Sequence, residues 1–407
     1  MKQFFLLLVV FKFSSAYALE NTKVLPKGRK FVTLRMVDTD ISSKTDSDGN
    51  AQPISQPLQK DLTFQKVLKS ENDPIKKSLI QAFLQSNNFN EEEALGTFTA
   101  DMNGHVRAYA PVLGFGITDK LTLALAVPYM SAQTSVKAGF VASPRSEEFV
   151  KKLSAPEYNL VKNAREVADK LNNATGKLDQ KLLDNGFQAL KNWEGHGFGD
   201  MTLAGKYAAV AIENFRVATT TGIVAPTGRV KDPDILNDVG FGDGQWDVFQ
   251  QITLEQPIVG DVTFSQYAKY TYQAVGKKKV RDATEEESIE VPKVETEFKL
   301  GDKIEGGAGV LYAPSFGLLT GVGYSYFFKY ADRYTVKDSG LRQDYLEKDT
   351  DQRAQNLELL LGYSGIPAFQ RGEFPAPYEI KMSYFKQLRS MNSTVTDLYQ
   401  IDASVYF

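Results

Sequence analysis

His105 follows Asp101 by four residues, and a histidine near a carboxylate is the smallest pair that can act as general base and orienting group. No partnered nucleophile can be identified with them, and polar groups lining a wet space form such pairs routinely, so no catalytic residue is assigned. His196, between Gly195 and Gly197, reads as a loop residue. The run from Gly240 to Gly244 is glycine-rich but lacks the Gly-Lys-Ser/Thr ending of a phosphate loop, so it reads as a turn or an inward-folded loop. Asp232, Asp234, Asp238, Asp243 and Asp247 could hold a divalent cation, yet their spacing matches no EF-hand; Asp46-Ser-Asp48-Gly-Asn50 reads as a tight turn. No metal centre or cofactor is expected.

The 407 residues include no Cys and two His, which excludes disulfides, thiol catalysis, a thiolate zinc site and an acylated lipoprotein cysteine. A net charge of -3 and a pI near 5.7 argue against nucleic acid as a partner. Mean hydropathy is -0.30, and no internal stretch of about 18 apolar residues exists to form a membrane helix.

The elements that must position these side chains begin after an export signal. Lys2, an apolar run over residues 4–11 and the small-residue site Ala16-Tyr17-Ala18 form a secretory signal expected to be cleaved after Ala18. Residues 19–407 are then expected to form one unit.

That unit alternates with period two, the mark of strands with two unlike faces. Phe98, Ala100, Met102, Val106 and Ala108 share one face, and Thr99, Asp101, Asn103, His105 and Arg107 the other. At the C-terminus Tyr399, Ile401, Ala403, Val405 and Phe407 alternate with Gln400, Asp402 and Ser404, and the chain stops on the aromatic. Tyr399, Val405 and Phe407 thus form the terminal signature by which barrel assembly machinery would sort the chain. The expected fold is all-β: an antiparallel up-and-down transmembrane barrel in a bacterial outer membrane.

Splitting the run 291–313 at Gly301 gives thirteen strands, an odd number. Parity across the run is unbroken, with Val294, Phe298, Leu300, Ile304, Ala308 and Val310 all even, so it reads as one bent strand and the count is twelve. Short turns then fall near residues 118–120, 213–214, 259–261, 313–315 and 366–377, and the outer loops at 41–95, 132–198, 226–244, 274–290, 332–351 and 391–393. The first two loops are long, and apolar residues at helical spacing over 76–83 and 146–190 predict amphipathic helices. They form either a cap or inward-folded plug on the barrel or a contact surface for another subunit or a cell-surface partner.

On this register the lumen is lined by Arg35, Asp101, His105, Arg107, Lys206, Arg216 and Lys269, and further by Glu295, Glu297, Glu358, Lys381, Arg389 and Asp402. Mixed signs suit a water-filled channel of weak selectivity. Facing charges could instead pair off and fill a narrow lumen. Outward aromatics, among them Tyr207, Trp246, Tyr270, Tyr324 and Tyr399, would form girdles at the interfaces.

Several stretches resemble the outer-membrane transporters associated with the phenol-degradation meta-pathway. They are Gly116-Ile-Thr-Asp-Lys-Leu-Thr-Leu123, Gly197-Phe-Gly-Asp-Met-Thr-Leu203 with Lys206-Tyr207, and Ala225-Pro-Thr-Gly228. Together with Gly242-Asp-Gly-Gln-Trp-Asp247, Ala313-Pro-Ser-Phe-Gly317 and the ending from Asp397 to Phe407, the chain is more similar to the PopA-like porin-like proteins of predatory bacteria. That resemblance implies a homo-oligomer enclosing outer-membrane lipid, with a structural or passive transport role. The alternatives are a monomeric transporter for hydrophobic small molecules and, last, a barrel enzyme such as a phospholipase.

Overall fold

Twelve segments keep the alternation and pair antiparallel, each with its neighbours in sequence. In the computed structural model, which describes residues 19–71, 73–155, 174–281, 292–335 and 343–407, they are β1 Lys30–Ile41, β2 Ala94–Thr118, β3 Leu121–Ala126, β4 Met201–Ile212, β5 Phe215–Ala225 and β6 Asp247–Val259. The second half comprises β7 Val262–Gln273, β8 Lys303–Tyr312, β9 Leu318–Lys329, β10 Gln352–Ser364, β11 Tyr378–Met391 and β12 Asp397–Tyr406. β1 also pairs with β12, from Phe31 opposite Tyr406 to Thr39 opposite Leu398, so the sheet closes into a barrel and leaves no edge in lipid.

Leu34, Leu113, Leu123, Leu203, Ile252 and Val322 point outward and are 37% exposed or more, as a lipid-facing surface requires. The opposite face carries Gly, Ala, Thr and charged residues. The connections after β2, β4, β6 and β8 are short and lie at one end, which the short-turn rule makes periplasmic, whereas at the other end only the link over residues 392–396 is short. The chain end returns to the periplasmic side, where Lys30 N donates to the Phe407 carbonyl at 2.7 Å. Tyr399, Val405 and Phe407 all stand on the outward face, 45–55% exposed.

Proline and glycine decide where the wall bends. Pro128 interrupts the run that follows β3, and the chain resumes as a strand over Tyr129–Ala142, which climbs along the upper half of β2. Trp193–Phe198 descends beside it, so the upper part of β2 belongs to an extension above the barrel. His196 therefore lies in a strand and not in a loop.

Helices crown this extension. Their described parts are α1 Phe64–Ser70, α2 Pro74–Ser86, α3 Pro144–Leu153 and α4 Ala174–Asp184; residues 156–173 of the expected helical stretch lie outside the described residues. Ser143 caps α3 by accepting from Ser146 N, and Asp73 caps α2 by accepting from Ile75 N and Lys76 N. The apolar stripes of α1, α2 and α3 converge on Phe149, whose ring centroid lies 4.9 Å from that of Phe64, 5.4 Å from Phe83 and 5.6 Å from Phe89, while Leu182 of α4 packs separately with Phe187.

The run 291–313 is not one strand. Lys293–Lys299 pairs with Gly276–Arg281 and Arg333–Thr335 in a separate three-stranded outer sheet, and only β8 belongs to the barrel. The chain turns at Gly301, whose N–H donates to Asp332 Oδ1 at 2.8 Å and whose α-carbon passes so close to the Tyr330 carbonyl that a Cβ would collide. Parity survives the turn because the even apolar residues meet two different apolar surroundings. Phe298 and Leu300 are buried with Val280, Tyr334 and Leu346 in the outer sheet, while Ile304 and Val310 face outward from the barrel.

Candidate functional site: an occupied lumen

The inward face of the barrel wall presents charge in pairs. Arg35 and Asp402 meet across the β1–β12 seam, and Lys269 Nζ lies 3.1 Å from Glu305 across β7 and β8. Lys381 stands 3.3 Å from Glu379 on its own strand. Lys269 also lies over the Phe249 ring, 5.0 Å from its centroid. Arg216 sits opposite Glu255, a pair whose register turns both inward. Cross-strand pairing therefore neutralises much of the lining from within, the second of the two lumens anticipated above.

A segment of the chain itself occupies what remains. Residues 19–27 precede β1 and run up the lumen from the periplasmic rim. Lys27 N donates to Asp119 Oδ1 at 2.9 Å in the β2–β3 turn, and Leu25 N to Thr122 Oγ1 at 2.7 Å. Higher up, Thr22 N donates to Glu255 Oε2 at 3.0 Å, and the Thr22 hydroxyl hydrogen-bonds to the same oxygen. Lys206 Nζ donates to Asn21 Oδ1 at 3.3 Å, and Leu19 N to Glu358 Oε2 at 3.2 Å. The backbone of an extended segment offers unpaired N–H groups, and here inward side chains of several strands accept from those of Leu19, Thr22 and Leu25. Gly116 makes the passage possible, because a Cβ there would strike the Pro26 carbonyl.

A second inward element lies above. The loop between β5 and β6 folds over the barrel mouth, where Val239 and Phe241 are buried with Ile41, Met102, Val106 and Met130. Arg229 fixes it with two hydrogen bonds to Asp238, at 2.8 and 2.6 Å, and its guanidinium lies near both the Trp193 and Phe241 rings. Of the aspartates read as a possible cation site, Asp234 and Asp238 are thus engaged by protein cations, while Asp232, Asp243 and Asp247 accept from Asp234 N, Gln245 N and the Gln245 side-chain amide. For Asp234, burial alone would raise the pKa; hydrogen bonds from Lys293 and Arg281 outweigh it and hold the carboxyl below its usual range. Among the described residues no group of three potential ligands is placed to hold a metal ion.

Of the residues assigned to the lumen, Arg35, Lys206, Arg216, Lys269, Glu358, Lys381 and Asp402 lie on the inward face. Six do not. His105 and Arg107 point outward: His105 Nδ1 lies 2.8 Å from Asp40 Oδ1, and Arg107 Nε donates to Asp38 Oδ2 at 2.6 Å. Asp101, exposed and in register with Lys137, lies on the same outward face of the extension. There the apolar face of β2 packs inward on the folded loop, and the polar face meets water.

Glu295 and Glu297 belong to the outer sheet, where Glu297 lies 3.5 Å from Lys277. Arg389 is turned outward by a bulge: Asn356 opposes Gln387 but Gln355 opposes Arg389, so one extra residue reverses the face. The segment 19–27 carried a usable signal in sequence, since the polar run Glu20, Asn21, Thr22 and Lys23 precedes the first strand and does not share its alternation.

No family model and no curated protein sequence matches the chain. Among solved structures, it is similar to an outer membrane channel from Pseudomonas putida F1, with a TM-score of 0.52 and 12% identity over 95% of this chain and 98% of that one. The NanC porin aligns with a TM-score of 0.32 and 10% identity, over 77% of this chain and 99% of that one. A Pseudomonas aeruginosa FadL homologue gives 0.32 and 8%, over 94% and 90%. The fold is that of a bacterial outer-membrane barrel, and the molecule belongs in that membrane.

Proposed function

We propose that the protein is a porin-like passive channel of the outer membrane, closed at rest by its own residues 19–27. The observation that carries this reading is the hydrogen bonding of that segment to Asp119, Thr122, Lys206, Glu255 and Glu358, which come from different parts of the wall. These contacts are polar and few, so the segment is displaceable while the closed wall is not. A lumen lined by Arg35, Asp402, Lys381 and Glu379 favours small polar solutes of either sign over hydrophobic cargo.

Planar-bilayer recording tests it. The mature protein should be mostly closed, and deletion of residues 19–26 should give steady, weakly selective conductance. A deletion variant that inserts, keeps its barrel and still does not conduct would mean a sealed structural wall.

Assembly into a homo-oligomer around lipid, the arrangement of the PopA-like proteins, is the second part of the proposal. The extension built on β2 supplies surface for subunit contacts beyond the bilayer. Mass measurement in mild detergent decides this part, and a single-subunit mass would remove it.

A further inference from the structure

We propose that the lumen contains a binding site for the chain's own processed amino terminus: the α-ammonium group of Leu19 pairs with Glu358 and latches the segment shut. This rests on the closed-channel reading above and on cleavage after Ala18.

Hydrolysis of the Ala18–Leu19 peptide bond takes up water and leaves a carboxylate on Ala18 and an amine on Leu19, protonated at neutral pH. The nitrogen that becomes this ammonium lies 3.2 Å from Glu358 Oε2. Glu358 is 1% exposed, in the middle of β10, and Ser383 Oγ donates to its other oxygen at 3.2 Å. Gly321 leaves room for the Leu19 side chain, since a Cβ at that glycine would stand 2.8 Å from Leu19 Cδ1.

The direction of the segment gives the pairing its meaning. Residues 27, 25, 22 and 19 meet Asp119, Thr122, Glu255 and Glu358 in turn, so the amine lies at the far end of a thread that enters from the periplasmic rim. In the uncleaved chain the same nitrogen is a neutral amide with one N–H, and the export signal would have to continue into the lumen. Processing turns that amide into a cation with three donors beside a buried carboxylate, a charge-assisted contact stronger than the neutral one it replaces. Export and closure are thereby ordered: only the matured chain can be locked.

The test is amine acylation of mature protein purified from outer membranes, with the first residue identified by mass spectrometry. Leu19 should be the first residue, and its amine should acylate at least about tenfold more slowly in the native protein than in urea, the protection expected of a charge-assisted hydrogen bond. Glu358→Gln should remove the protection and move the pH of half-labelling downward, because the carboxylate favours the charged amine; burial alone would leave that pH unmoved. Insertion of one glycine after Ala18 shifts the amine out of register and should also abolish protection, which keeps the test decisive if the Gln variant misfolds. A different first residue, equal labelling in native and denatured protein, or an unmoved pH of half-labelling in a folded Gln variant would overturn the proposal. A conducting deletion variant together with free labelling of Leu19 in the intact mature protein refutes the latch alone; a protected amine in the intact protein together with a silent deletion variant refutes the channel alone.

Discussion

Arg35 grips Asp402 through two parallel hydrogen bonds, Nε to Oδ1 at 2.8 Å and Nη2 to Oδ2 at 3.0 Å, across the seam where the first and last strands close the barrel. Two residues along, Thr33 and Ser404 bond through their hydroxyls at 2.7 Å. The seam joins strands 367 positions apart in the chain, so it forms only when the rest of the sheet is in place. A double-mutant cycle of Arg35→Gln and Asp402→Asn, measured by urea unfolding in lipid, should return a coupling of about 1–3 kcal/mol. Additive single effects would show that the pair only decorates the seam.

Replacement of Gly116 should open the channel without unfolding it. A Cβ at this position strikes the Pro26 carbonyl, while β2 already carries alanine at Ala100, Ala108 and Ala110. Gly116→Ala should therefore expel residues 19–27 and raise conductance towards that of the deletion variant. Unchanged closed behaviour would mean that the segment can pass elsewhere.

His105→Ala should leave conductance at its starting value and should abolish no hydrolytic activity. The ring sits outside the barrel between Asp40 and Asp38, at 2.8 and 3.5 Å. Loss of a phospholipase activity in this variant would reverse the assignment.

Truncating Phe149 should loosen the extension and spare the barrel. The ring joins α3 to Phe64, Phe83 and Phe89 and is 6% exposed. Phe149→Ala should cost the helical cluster about 3–5 kcal/mol, read as faster proteolysis within residues 64–153. The heat-modifiable gel mobility of the barrel should stay the same.

The mouth loop should grow more stable in alkali. Lys231, whose Nζ donates to the Leu236 carbonyl at 3.1 Å, has its pKa lowered from 10.5 to about 8 by burial, with Asp238 opposing the shift. Between about pH 8 and 10.5 the unfolded loop binds more protons than the folded one, so stability rises with pH through that window. Protection factors of residues 226–246, taken relative to the intrinsic exchange rate at each pH, should rise accordingly, and Lys231→Met should flatten the dependence.

Alternation in the sequence was enough to find the barrel, its twelve strands and inward residues such as Lys269, Glu358 and Asp402. Period two, however, tells which side chains share a face and not what lies beyond it. On β2, Leu113 and Phe115 face lipid while Arg107 and His105, of the same parity, face water; the solvent changes between Tyr109 and Arg107, and the pattern does not. The neighbouring strand repeats the switch between Met36 and Asp38. Arg389 was hidden by one bulge residue, and Glu295 and Glu297 by a turn at Gly301 that kept parity intact. Segment 19–27 has no periodicity, and its Leu19, Thr22 and Leu25 N–H groups are met by side chains of three different strands.

The switch at Tyr109 also sets the height of the molecule. From Ala108 back to Ala94, β2 continues as hydrogen-bonded strand, and at about 3.3 Å per residue this is roughly 50 Å of ladder beyond the hydrocarbon. A solute or another cell arriving from outside touches this tower of Asp101, His105 and the helices long before it reaches the bore. The surface offered to the outside and the proposed bore are thus built on opposite ends of one strand, so that substitutions at one end leave the other in place.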